Sequence, residues 1–142
     1  MAMLTVGYTQ NAWLIRETLL NCMDYQCAHQ ALRDVPMASY GYQILAGTKP
    51  GEGVVISRDR FGPAHEEFLD SDKGKWFLVQ ANSDQWIDGC TDRCLAAYLG
   101  MQKVGLENVS LSLIRDQVLL LPPDLNSKTI YHSDMNPMAA YM

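Results

Sequence analysis

The sequence has no run of basic residues, no apolar stretch near the roughly 20 residues that a membrane-spanning helix needs, and no low-complexity segment or internal repeat. Phosphate backbones are bound by clustered cations, so a net charge of -5 with no Lys/Arg cluster excludes nucleic acid as an expected partner. The start, MAMLTVGYTQ, lacks the basic end and long apolar core of a signal peptide. Histidines are scarce: His29, His65 and His132 provide no ligand pair at helical spacing and read as surface or packing residues. The four cysteines, Cys22 and Cys27, then Cys90 and Cys94, fit neither a zinc template nor a Cys-x-x-Cys redox motif, so neither metal nor cofactor is expected.

What is present is apolar mass. Of 142 residues, 48% are hydrophobic, enough for one domain spanning residues 1–142 with a sizeable core. Residues 12–33 carry an apolar stripe (Trp13, Ile15, Leu19, Leu20, then Tyr25, Ala28, Leu32) interrupted near residues 21–24, which predicts two short amphipathic helices that Pro36 ends. From Ser39 onward, SYGYQILAG, EGVVISRDR, EEFLD and KWFLVQAN predict four antiparallel strands separated by turn chemistry in TKPG, RFGPA and SDKG. Helical character returns at about residues 92–102 and 111–120, stopped by Pro122 and Pro123, and SKTIYHS predicts a strand that rejoins the sheet.

Helices and strands that segregate in this way predict an α+β fold, an antiparallel sheet with helices on one face. GVVIS and WFLVQ are nevertheless apolar on both faces, whereas a half-solvated sheet alternates. A second layer is therefore expected over the other face. Asn82 stands where the apolar run of residues 76–81 meets a polar cluster; it is either a turn residue or a hydrogen-bond donor aimed at a reaction site. Thr91 is a candidate N-cap, which places Arg93 in a first helical turn where the macrodipole disfavours a cation, so Arg93 needs a partner. Trp76 and Trp86 read as core or groove surface, and Glu52 and Asp59 as solvated charges at strand ends. Asn108-Val109-Ser110 is an N-glycosylation tripeptide, relevant only on a secretory route.

GTKPGEGVVISRDRFGPA (residues 47–64), KGKWFLVQANSDQW, TDR (91–93), ENVSLS (107–112) and KTIYHSDMN (128–136) resemble, in consistent order, the β-subunit of the N-acylethanolamine-hydrolysing acid amidase and acid ceramidase family. These are lysosomal cysteine N-terminal-nucleophile hydrolases. The resemblance implies half of an αββα sandwich, the missing sheet explaining the doubly apolar strands. It implies a nucleophilic N-terminal cysteine supplied upstream, since Met1 stands where this chain begins. Two family site positions match. Asn82 falls on a strand-end asparagine whose amide helps hold the oxyanion, with Ser83 where the family has tyrosine, and Arg93 falls on the arginine of a D-D-R segment after a two-residue shortening.

The function this implies is a C-terminal fragment or subunit of a fatty-acyl amide hydrolase, inactive alone and lysosomal by resemblance. Its expected partners are the upstream segment or α-subunit of the same enzyme and, once complete, a fatty-acyl amide substrate. The isolated chain is expected to form a homodimer through its bare sheet face. The alternative is a non-catalytic binding or assembly protein derived from the same family.

Overall fold

The computed structural model describes residues 7–90 and 92–137. They fall into two compact units, one ending at Leu78 and the other starting at Val79.

The first unit opens with helices α1 (Asn11–Asn21) and α2 (Tyr25–Asp34), broken where the sequence predicts. The Asp24 side chain caps α2 by accepting from the Cys27 backbone N–H at 2.8 Å, satisfying one of the donors a helix start leaves free. A disulfide between Cys22 and Cys27 closes the junction. The face α1 buries differs from the expected stripe. Leu14 and Thr18, four apart and so on one face, are buried, while Trp13, Ile15, Leu19 and Leu20 are exposed.

Strands β1 (Gly41–Ala46), β2 (Gly53–Arg58) and β3 (Pro63–Phe68) form an antiparallel sheet in the order β1-β2-β3. The register pairs Gln43 with Ile56 and Leu45 with Val54, and Val54 and Ile56 form a buried cluster with Leu14 of α1, Leu32 of α2 and Met37. Helices therefore cover this face, as expected. On the opposite face Val55 is 3% exposed, whereas its register partner Ile44 is 66% exposed. The expected bareness is thus confined to β1 and does not extend to the centre of β2.

Buried polar groups join the layers. Gln43 donates to Asn11 Oδ1 of α1. Arg58 is buried and donates to three backbone carbonyls, through Nη1 to Leu32, through Nη2 to Val35 at 2.8 Å and through Nε to Gly62 at 3.1 Å. Two of these close the C-terminal end of α2, where a cation is favoured. Glu66 of β3 accepts from Arg33 Nε at 3.1 Å and lies 2.6 Å from His29 Nε2, so His29 serves packing and pairing, as its isolation in the sequence suggests. The two hairpin turns use charges the sequence reading left to solvent. Glu52 accepts from the Lys49 N–H beside Gly51, whose φ of +82° favours glycine, and Asp59 accepts from Phe61 and Gly62.

The expected fourth strand does not form. Lys75 exchanges two hydrogen bonds with Asp70 to close a 3-10 turn (Ser71–Lys73), and residues 76–81 run half-buried with no strand beside them. Nor does SKTIYHS join a sheet; Ile130 and Tyr131 there are exposed. A ladder needs a neighbour, and among the described residues neither run has one.

The second unit holds α3 (Gln85–Asp88), α4 (Asp92–Val104) and α5 (Leu111–Ile114), the last continuing as a wider π-turn through Leu119. Ser110 caps α5 by accepting from the Leu113 N–H. Cys94, Ala97, Met101 and Val104 form the buried stripe of α4, and Val118 is buried in the π-turn. Gly100 lets the two approach, since a β-carbon there would lie 3.1 Å from Val118 and 3.3 Å from the Gln117 carbonyl. Trp86 on α3 is exposed rather than core. Among the described residues no helix is long and apolar enough to cross a membrane.

Candidate functional site

The site grows from the segment that failed to become a strand. With no neighbouring strand, the backbone groups of residues 79–81 need other partners. Gln85, at the start of α3, supplies them: its Nε2 donates to the Val79 carbonyl at 2.7 Å and its Oε1 accepts from the Ala81 N–H at 3.2 Å. From the other side Gln80 Nε2 donates to the Ala81 and Ser83 carbonyls at 2.8 and 3.1 Å. Two glutamine amides thus fix the backbone on both sides of Asn82.

The Asn82 side chain bonds to Arg93. Arg93 Nη2 donates to Asn82 Oδ1 at 3.0 Å, so the two residues singled out by sequence meet directly. This contact settles which way the amide points, because the reverse flip would set an amide NH2 against a guanidinium, donor against donor. Asn82 Nδ2, with two N–H donors, is left without a partner among the described residues. Arg93 sits in the first turn of α4, as expected, and its hydrogen-bond partner is the neutral amide of Asn82. The expected N-cap, Thr91, lies outside the described residues.

Asn82 and Arg93 line a cavity of about 980 Å³ with Leu119, Asp124 and residues 126–132, and a smaller one of about 220 Å³ with Ala81, Ser83 and Asp92. The wall opposite is a tied turn. Asn126 Nδ2 donates to the Pro123 and Asp124 carbonyls, its Oδ1 accepts from the Lys128 N–H, and Thr129 Oγ1 accepts from the Asn126 N–H. Asp124 is half-buried; burial pushes its carboxyl above the usual range while the positive charge of Arg93 pulls the other way. His132 also lines the cavity, a position the sequence reading gave to surface or packing.

Chemically, the arrangement offers an oriented amide donor backed by a cation. All four cysteines are paired, Cys22 with Cys27 and Cys90 with Cys94. Sequence reasoning missed these disulfides, although the signal was there: one pair straddles a helix break and the other is spaced one helical turn apart. The two glutamine clamps and Asp124 were missed too, since their roles depend on which backbone groups stay unpaired.

An antiparallel sheet with helices on one face is one half of the αββα sandwich of N-terminal-nucleophile hydrolases. It superposes with a TM-score of 0.73 on the solved Caenorhabditis elegans N-acylethanolamine-hydrolysing acid amidase orthologue, 35% identical, over 82% of this chain and 50% of that one. Among curated proteins, the rat (Rattus norvegicus) N-acylethanolamine-hydrolysing acid amidase is 39% identical over 137 residues, 95% of this chain, and human acid ceramidase is 35% identical over 121 residues, 84% of it. No protein-family model matches. The chain belongs to the N-acylethanolamine-hydrolysing acid amidase and acid ceramidase family, and spans 38% of the length of the rat relative and 30% of the human one.

Proposed function

We propose that these 142 residues are the oxyanion-stabilising portion of an acid amidase that cleaves fatty-acyl amides of the N-acylethanolamine or ceramide type, with the attacking thiol supplied by a segment outside them. The observation that carries this reading is the Arg93–Asn82 hydrogen bond, which leaves Asn82 Nδ2 free to donate. When a thiolate attacks an amide carbon, the carbonyl oxygen gains negative charge, and a donor held ready for it favours the transition state over the bound substrate. Arg93 holds the Asn82 amide in the donating orientation. The pairing of Cys22 with Cys27 and of Cys90 with Cys94 supports a nucleophile supplied from elsewhere and fits folding in an oxidising compartment on the way to a lysosome.

The test is a chimera in which the part of the rat relative preceding the matched region is joined to this chain. Hydrolysis of an N-acylethanolamine by the folded chimera supports the reading, and a folded chimera without turnover overturns it. The pairing of all four cysteines keeps one other reading in view, a non-catalytic binding or assembly protein. An N-terminus of the native cellular protein at Met1 would support that second reading.

A further inference from the structure

We infer that the Cys90–Cys94 disulfide is a positioning clamp for Arg93, and through it for the Asn82 amide. The clamp follows from where the bond lies. It joins residues four apart, with a Cα–Cα distance of 5.3 Å, and the closed ring contains Asp92 and Arg93. One end of the ring is anchored: Cys94 is 2% exposed and begins the buried stripe of α4 that continues through Ala97, Met101 and Val104. The other end, Cys90, follows Gly89, which ends α3, the helix whose Gln85 holds the Asn82 backbone. The disulfide therefore ties the start of α4 to the element that presents Asn82.

The ring has something to hold. Asp92 has a φ of +47°, the left-handed region that a side-chain-bearing residue adopts at a cost and keeps only where its surroundings over-determine it. Arg93 follows at once. A cation in a first helical turn opposes the macrodipole, and among the described residues the hydrogen bond of Arg93 goes to a neutral amide, with the charge of Asp124, which lines the same cavity, as its electrostatic counterpart. Neither the backbone at Asp92 nor the helix dipole at Arg93 favours this geometry by itself. A covalent ring that narrows the conformations of these two residues does.

The consequence for catalysis rests on the proposed amidase reading, but the clamp itself is tested on this chain alone. The readout is the pair of Asn82 side-chain amide signals in a nitrogen–proton correlation spectrum, assigned by their loss in Asn82→Ala. Cys90→Ala/Cys94→Ala is expected to move those signals to where they lie in Arg93→Met, while Cys22→Ala/Cys27→Ala leaves them in place. Cys90→Ser alone keeps buried Cys94 packed and is expected to give the same shift if the double variant does not fold. A folded variant with unmoved signals overturns the proposal, as does non-reducing peptide mapping that finds Cys90 and Cys94 unlinked in the oxidised chain. In the chimera, Cys90→Ser is expected to lower kcat by up to about 10²-fold, the scale of a misplacement near 1 Å, with KM unchanged. If the signals move but Arg93→Met costs the chimera nothing in kcat, the clamp stands and the amidase role of the pair falls.

Discussion

Arg93 Nη2 and Asn82 Oδ1 are 3.0 Å apart, although the residues are eleven positions apart in sequence and reach the site from different elements, Asn82 from the end of an unpaired extended run and Arg93 from the first turn of α4. The bond has a direction. A guanidinium only donates, so it claims the amide oxygen and leaves the amide N–H groups for something else. That division of labour is the strongest physical reason for reading Asn82 as more than a turn residue.

Once the chain is completed by an upstream segment that gives turnover, Asn82→Ala is expected to lower kcat by about 10²–10³-fold with little change in KM, because the lost hydrogen bond is strongest when the carbonyl oxygen is charged. Arg93→Met is expected to produce a smaller fall of the same kind. Steady-state kinetics with one N-acylethanolamine substrate check both. An unchanged kcat in Asn82→Ala would return that residue to turn formation.

The 142 residues alone are expected not to hydrolyse fatty-acyl amides, since every cysteine sulfur is in a disulfide and an oxyanion donor without a nucleophile leaves the attack unassisted. Turnover above background that persists with all four cysteines replaced by alanine would contradict this.

Much of the first unit was legible from local chemistry: the helix break before Asp24, the turn at Gly51, the alternation that sends Val54 and Ile56 to the helices. Strand formation at residues 76–81 was not, since it depends on a partner strand that the local sequence does not reveal, and the same run became the support for Asn82 through Gln80 and Gln85. Asn82 and Arg93 stood out in the sequence by their match to two family site positions, with Asn82 also at the end of an apolar run and Arg93 also in an unfavourable helix position. Their contact with each other was hidden, because it spans a loop whose path is set by those glutamine bonds and by the Cys90–Cys94 ring.

Arg58 is the chief buried cation of the first unit, and its three carbonyl partners span α2 and the β2–β3 turn. Arg58→Met is expected to destabilise the chain by about 1.5–3 kcal/mol, the range for hydrogen bonds to a charged group. Arg58→Lys is expected to recover little, as one ammonium cannot reproduce the planar fork. Urea denaturation measures both, and a change in Arg58→Met below about 0.5 kcal/mol, the scale of ordinary surface substitutions, would rule out this role.

Two aspartates are expected to respond to acid with opposite signs. The Phe61 and Gly62 N–H groups hold the Asp59 carboxyl below its usual range, so its contribution is present above the unfolded-state pKa and lost as pH falls through the lower folded value. Burial raises Asp124, with the charge of Arg93 opposing, so its ionised form costs stability above the folded pKa and the cost fades as pH falls through it. Asp124→Asn should therefore raise Tm at neutral pH and converge with the wild type in acid, while Asp59→Asn should lower Tm at neutral pH and converge below the carboxylate range. Thermal melts across pH test both, and an Asp124→Asn melt identical to the wild type at every pH would remove Asp124 from the account.

Self-association is expected for the isolated chain. Ile44 on β1 is 66% exposed on the face away from the helices; on α1, over the other face, Leu19 is 77% exposed and Trp13 and Leu20 are exposed as well. Monomeric proteins seldom leave contiguous apolar patches beyond a few hundred Å² uncovered. Val55, already buried, removes the centre of the sheet from the available surface, so a homodimer through the sheet must use the β1 side, with the same patch on both copies. Light scattering at micromolar concentration is expected to give twice the chain mass, and Ile44→Lys is expected to shift it to monomer by placing a charge in the contact. A dimer indifferent to Ile44→Lys but broken by Leu19→Lys would move the contact to α1, and a wild-type monomer with a cooperative melt would overturn association altogether.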